Sequence, residues 1–187
     1  MFRFAALAAF AAALCVLAST TPVAADDTTL NVKVGDKFPD VPLMAAQIDK
    51  VKKDAKTVSI ADLKGKTVII FFYPKALTGG CTKESCGFRD LMNEKDFPAD
   101  IVVLGASGDD MKLQQKFIDV NKLPMPLLCD TDLKLIKELG ILGKAGGTTP
   151  KRVTFVVDKE GKIAKIYEKV NPESHPAEVL KFAKTLK

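Results

Sequence analysis

Hydrophobic positions along this chain follow two rhythms, short unbroken apolar runs and longer stretches that repeat every three to four residues. Residues 67–73 form an unbroken run rich in β-branched and aromatic side chains, the mark of a strand covered on both faces. Pro74, Gly79 and Gly80 break it into a loop. The spacing of Phe88, Leu91 and Met92 then predicts a helix over 81–95, with Glu84, Arg89, Asp90 and Glu94 turned to water. Residues 101–106 read as a second buried strand, and from 109 Met111, Leu113, Phe117, Ile118 and Val120 recur at helical spacing. Pro124 and Pro126 bracket a turn before the short strand Leu127-Leu128-Cys129, and a helix over 132–139 is closed by Gly140. Residues 152–157 and 163–170 flank a turn containing Gly161 and predict a hairpin. A last amphipathic helix over 176–186 carries Val179, Leu180, Phe182, Ala183 and Leu186 on one face. Upstream, residues 30–40 read as an opening strand or loop with a turn at Gly35-Asp36, 41–46 as an extended piece and 49–56 as a charged surface loop. Strand and helix alternation requires parallel crossovers, while the hairpin adds antiparallel pairing. The pattern therefore predicts an α/β fold of three layers, a central mixed sheet with helices on both faces.

The chemistry concentrates where the first long run meets its helix. Cys81 lies in the helix's first turn, where unpaired backbone N–H groups and the positive end of the dipole favour a thiolate. Thr78, three residues earlier, can turn its hydroxyl toward the same spot, and Gly79 and Gly80 let main-chain N–H groups approach closely. Such a loop suits an oxygen-rich ligand.

These residues resemble the peroxiredoxins, specifically the monomeric bacterioferritin-comigratory or Q type. The family's run of Pro, three residues, Thr or Ser, two residues and the peroxidatic Cys is matched by Pro74, Thr78 and Cys81, and the resolving Cys five residues on by Cys86. Phe72-Tyr73-Pro74-Lys75, Thr82-Lys83-Glu84 and Phe88-Arg89-Asp90 agree as well, and the resemblance covers nearly all of 26–187. Gly79 departs from the family, which usually carries a second Pro there.

The resemblance implies a thioredoxin-like fold and a peroxidase for hydrogen peroxide and organic hydroperoxides. It implies a Cys81 sulfenic acid resolved as a Cys81–Cys86 disulfide and reduced by thioredoxin or a similar dithiol donor. It assigns to Arg152, in RVTFVVDKEGK, a guanidinium aimed at the peroxidatic sulfur, and to Glu84 the family's acidic position. Pro74, Gly80 and Glu84 would support the substrate. No cofactor is implied.

Composition changes the picture mainly at the N-terminus. Arg3, an apolar segment over 4–17 and the small residues Val23-Ala24-Ala25 read as a cleaved signal peptide over 1–25, leaving one domain over 26–187 and an exported protein, periplasmic or secreted. The apolar segment is shorter than the roughly 20 residues of a membrane span, so release is favoured over a retained anchor. Removing Arg3 takes the net charge from +5 only to +4, and the lysines are dispersed, which argues against nucleic-acid binding. Cys81, Cys86 and Cys129 remain, an odd number for an oxidising compartment; Cys129 reads as a small buried hydrophobe at a strand end, the alternative being a second resolving or regulatory thiol. His175, the only histidine, reads as a surface residue, and without others the cysteines lack the ligand set of a metal site.

Magnitudes limit what ionisation can do. A thiol in water is only about 3% anionic at pH 7, so full ionisation gains about 30-fold. The larger effect must be stabilisation of charge on the leaving oxygen, by Thr78, the Cys81 N–H and Arg152. On an intact helix five residues rise about 7.5 Å and turn about 140° past a full turn, so pairing Cys81 with Cys86 requires local unwinding, which Gly87 would ease. Two alternatives remain on the sequence alone. One is an exported thiol:disulfide oxidoreductase, disfavoured by C-x4-C in place of C-x-x-C, and the other is a catalytically silent binding or holdase module.

Overall fold

The computed structural model describes residues 29–144 and 146–186; the predicted signal segment lies outside the described residues. The apolar runs become β1 (Met44–Ala46), β2 (Thr67–Phe72), β3 (Ile101–Ser107), β4 (Leu127–Cys129), β5 (Val153–Val157) and β6 (Ile163–Tyr167). They form one six-stranded sheet in the order β1-β4-β3-β2-β5-β6. β2, β3 and β4 run parallel, β5 is antiparallel to β2, β6 to β5, and β1 to β4. Both central neighbours of β2 are long strands, and all six of its residues are buried.

The helices are α1 (Gly79–Met92), α2 (Met111–Asn121), α3 (Lys134–Leu139) and α4 (His175–Ala183). Phe88, Phe117, Ile118, Val179 and Leu180 pack on Ile69, Phe71, Val103 and Val156, so α1, α2 and α4 cover one face. Leu135, Ile136 and Leu139 of α3 join Phe38, Ile60 and Leu63 over Val68, Ile70, Phe72, Phe155 and Val157 on the other. This is the mixed three-layer α/β arrangement predicted from the pattern.

Element ends shift for local reasons. α1 begins at Gly79 because Thr78, in extended conformation, takes the cap position, and it stops at Met92 because Asn93 to Asp96 offers no apolar residue to bury. α2 is capped by Asp110, whose Oδ1 accepts from the Leu113 N–H at 2.8 Å, and not by Asp109. α3 starts two residues late, since Leu133 takes a left-handed φ of 58° and the buried Asp130 carboxylate accepts from the N–H groups of Lys134 and Ile136. Gly140, at φ 73°, closes it. Of the predicted extended piece over 41–46, Met44–Ala46 forms a strand, and the surface loop after it contains a 3-10 turn, Ile48–Lys50.

Candidate active site

The antiparallel pairing of β5 with β2 sets Val153 opposite Phe72, which brings the residue just before β5 to the loop that follows β2. That residue is Arg152. Alternation along the strand puts Arg152, Thr154 and Val156 on the face covered by α1. The Arg152 Nη2 lies 3.1 Å from the Cys81 sulfur, and Nη1 donates to Glu84 Oε2. Cys81 is the third residue of α1, in the turn whose N–H groups have no intrahelical acceptor; the first intrahelical bond runs from Thr82 N–H to Thr78 O. The sulfur thus faces a guanidinium on one side and a helix N-terminus on the other.

Glu84 corrects the helical pattern, which turned it to water, and lies beside Arg152 as its acidic position in the resemblance allows. It is fully buried, because a residue three positions after Cys81 shares its helix face and so meets Arg152. Burial pushes the Glu84 carboxyl up to about 7, against the pull of Arg152. Its Oε1 is buried with no hydrogen-bond partner among the described residues, so half of the carboxylate is desolvated without compensation. Arg152 pays a burial cost of its own, yet the bond to the Cys81 sulfur and the charge of Glu84 raise it above the ordinary guanidinium value. One cation is therefore shared by two acids.

The loop residues surround the cysteine and the guanidinium as follows. Pro74 is half-buried at the loop's start, and Gly80 is close to the guanidinium, since a Cβ there would sit 3.4 Å from Arg152 Nη2. Gly79 is exposed and faces open space, leaving a way in beside Thr78. Thr78 is exposed too, but its hydroxyl proton is donated to Lys75 O at 2.9 Å. What it can offer toward the sulfur is a lone pair, not the proton expected of it.

Cys86 lies on the same unbroken helix, half-buried, its thiol 3.8 Å from Asn121 Oδ1 at the end of α2. Arg89 Nη1 donates to the Asn121 carbonyl at 2.8 Å, capping that helix end. Cys81, Cys86 and Cys129 are all free thiols. Gly87 has a tertiary role beyond its weak helix propensity, because a Cβ there would lie 2.8 Å from Pro176 Cγ where α1 meets α4. Cys129 is buried at the end of β4 as expected, and burial pushes its thiol up to about 11.

His175 is a second correction. It is buried, with Nε2 2.8 Å from Thr154 Oγ1 and its ring set edge-on to Phe88 and Tyr167. Burial, with a smaller contribution from the charge of Arg152, pushes it down to about 4. Sequence reasoning missed this pair because a lone histidine before a proline reads as a helix start. It also missed Asn121, and it read position 109 only as the start of a helix, with nothing to signal the bond from Ala76 N–H to the Asp109 carboxylate.

Comparison with known proteins agrees with this geometry. Residues 34–166 match the model of the AhpC/TSA family. A chloroplastic peroxiredoxin Q of Triticum aestivum is 43% identical over 135 residues, 72% of this chain and 62% of that one. This chain thus spans less than two thirds of that relative's length. The bcp peroxiredoxin of Coxiella burnetii is 38% identical over 156 residues, covering 81% of this chain and 98% of that one. Among solved structures, the peroxidoxin BcpB of Mycobacterium tuberculosis superimposes with a TM-score of 0.71 at 30% identity, over 83% of this chain and 99% of that one. The bacterioferritin comigratory protein of Xanthomonas campestris, described for its alkyl peroxide reduction activity, gives 0.69 at 26% identity, over 82% and 98%. The chain belongs to the AhpC/TSA family, among the peroxiredoxins of the Q and bacterioferritin-comigratory type.

Proposed function

We propose that this chain is a thiol-dependent peroxidase for hydrogen peroxide and organic hydroperoxides. The observation that carries the reading is the Arg152 guanidinium 3.1 Å from a cysteine sulfur at a helix N-terminus. The Cys81 thiolate attacks the nearer peroxide oxygen, the O–O bond breaks, and the departing oxygen takes its electron pair and then a proton to leave as water or an alcohol. Arg152 and the first-turn N–H groups offset the negative charge on that oxygen, the kind of stabilisation worth 10²–10³-fold per donor, by order of magnitude. Thr78, Pro74 and Gly80 shape the space in which the peroxide lies.

Cys81 is left as a sulfenic acid. The Cys86 thiolate then attacks that sulfur, water leaves, and a Cys81–Cys86 disulfide forms. With both residues on α1, the first two turns must unwind for the sulfurs to meet. A thioredoxin-like dithiol protein returns the disulfide to two thiols and is itself oxidised. In this proposal the segment over 1–25, read as a signal peptide, puts the cycle outside the cytoplasm, and the resemblance to the bacterioferritin-comigratory type implies a monomer.

Stopped-flow mixing of the reduced protein with hydrogen peroxide tests the reading. Oxidation of Cys81 is expected to outrun that of free cysteine by several orders of magnitude, and a rate equal to free cysteine refutes it. Cys86→Ser should complete one turnover, hold a sulfenic acid and fail to recycle. The alternative thiol:disulfide oxidoreductase gains nothing here, since the two sulfurs sit on one intact helix with different partners.

A further inference from the structure

We propose that Asp109 is a positioning residue for the peroxide-binding loop, acting through the backbone N–H of Ala76; the inference rests on the peroxidase reading above. Asp109 belongs to the connection between β3 and α2, Ala76 to the connection between β2 and α1, and a single carboxylate oxygen ties the two together. Asp109 Oδ2 accepts from Ala76 N–H at 2.7 Å and from Ser107 Oγ–H at 2.9 Å.

Ser107 is the near end of a longer chain. Its oxygen also accepts from the Asp109 N–H at 3.1 Å and from Gln114 Nε2 at 2.9 Å, which uses its one donor and both lone pairs. Gln114 Nε2 further donates to Leu128 O at 3.1 Å, and Gln114 Oε1 accepts from the Tyr73 hydroxyl. Ser107, Gln114 and Tyr73 are fully buried, and burial keeps the Tyr73 phenol well above its ordinary value and so neutral. Tyr73 opens the same loop, so the chain of bonds grips it at residue 73 and again at residue 76. A fully satisfied buried network of this kind allows one arrangement and penalises others.

The loop needs such a grip. Leu77, directly after Ala76, holds a left-handed φ of 64° with 37% of its surface exposed, so burial does not hold it there. Backbone in that region persists only where its surroundings enforce it. Thr78, the next residue, must leave it extended, at φ −87° and ψ 153°, to present the first turn of α1 beneath the sulfur. With Ala76 N–H released, Leu77 relaxes, and the N–H groups of Gly79, Gly80 and Cys81 lose their aim at the leaving oxygen. Displacements of about 1 Å in such groups cost on the order of 100-fold in rate.

The experiment separates the two half-reactions in single-turnover mixing of the reduced full chain with hydrogen peroxide. Asp109→Ala is expected to slow oxidation of Cys81 by about 10- to 100-fold while the following formation of the Cys81–Cys86 disulfide stays within about twofold. Asp109→Asn, whose amide oxygen can accept both bonds, should restore oxidation to within about threefold. Asp109→Glu keeps the charge, displaces the oxygen by one methylene and should behave like the alanine variant, which keeps the test open if that variant does not fold. Gln47→Ala removes a single remote bond, Gln47 Nε2 to Leu123 O at 2.8 Å, and controls for lost stability; its oxidation rate should not change. Normal oxidation in folded Asp109→Ala, failure of Asp109→Asn to rescue, or equal slowing of both half-reactions would overturn the proposal. Wild-type oxidation at the rate of free cysteine removes the peroxidase reading itself, a result none of the variants can produce.

Discussion

Replacing Glu84 with Gln removes the carboxyl paired with Arg152 yet keeps its shape, and the change should register in how stability depends on pH. Burial raises Glu84 from 4.5 to about 7, so between those values the folded protein holds a proton that the unfolded chain has released. The contribution of Glu84 is therefore whole below pH 4.5 and is lost as pH rises through 7. At about 1.4 kcal/mol per pH unit the loss is about 3 kcal/mol. His175 works in the opposite sense. Lowered from 6.5 to about 4, it contributes stability that is whole above 6.5 and is lost as pH falls through 4.

In the wild type these two contributions oppose one another between pH 4.5 and 6.5. Glu84→Gln keeps only the histidine slope. Urea unfolding of both reduced proteins at intervals from pH 4.5 to pH 7 measures the difference, in which the shared His175 contribution cancels. The variant should gain about 3 kcal/mol on the wild type across that range, whatever its offset at the acidic end. A difference constant to within about 0.5 kcal/mol would mean that Glu84 stays charged throughout and would refute its titration near 7.

Three other expectations concern neighbouring groups. Arg152→Met leaves the sulfur without its guanidinium and should lower the second-order rate of peroxide oxidation by about 10²–10³-fold, measured in the same stopped-flow assay; a loss under tenfold contradicts the role given to it. Arg89→Ala frees the Asn121 carbonyl, and because a bond from a charged donor is worth about 1.5 kcal/mol or more, α1 should unwind more easily and the Cys81–Cys86 disulfide form about tenfold faster. Mass spectrometry of quenched samples would show the opposite if Arg89 served mainly to activate Cys86. Gly87→Ala brings a methyl to 2.8 Å from the Pro176 ring, and the overpacking of about 1–3 kcal/mol should exceed the helix-propensity gain of about 1. Its thermal midpoint should fall; a rise would mean the two helices can separate without cost.

Much of the molecule could be read along the chain because the signals are local. The apolar run that became β2, the glycine that closes α3 and the turn at Gly161 each depend on residues within a few positions of one another. The same holds for placing Cys81 at a helix start, since Pro74, the two glycines and the periodicity after them lie within one loop and one helix. Arg152 could be named only through the resemblance, because no spacing rule joins residues 71 positions apart.

What the chain order could not carry was the face on which polar side chains would find partners. Glu84 and His175 look like solvent-facing residues until β5 is laid beside β2, when Arg152 and Thr154 are turned inward to meet them. Asp109 reads as no more than the start of a helix until two loops from neighbouring parallel strands converge and its carboxylate reaches Ala76. Sequence alone set the strands, the helices and the cysteine at the helix start, since these follow from short-range periodicity and backbone preference. Only the packed sheet decided which charges are buried, what each is bonded to and where it titrates, because desolvation and pairing depend on atoms brought together from distant parts of the chain.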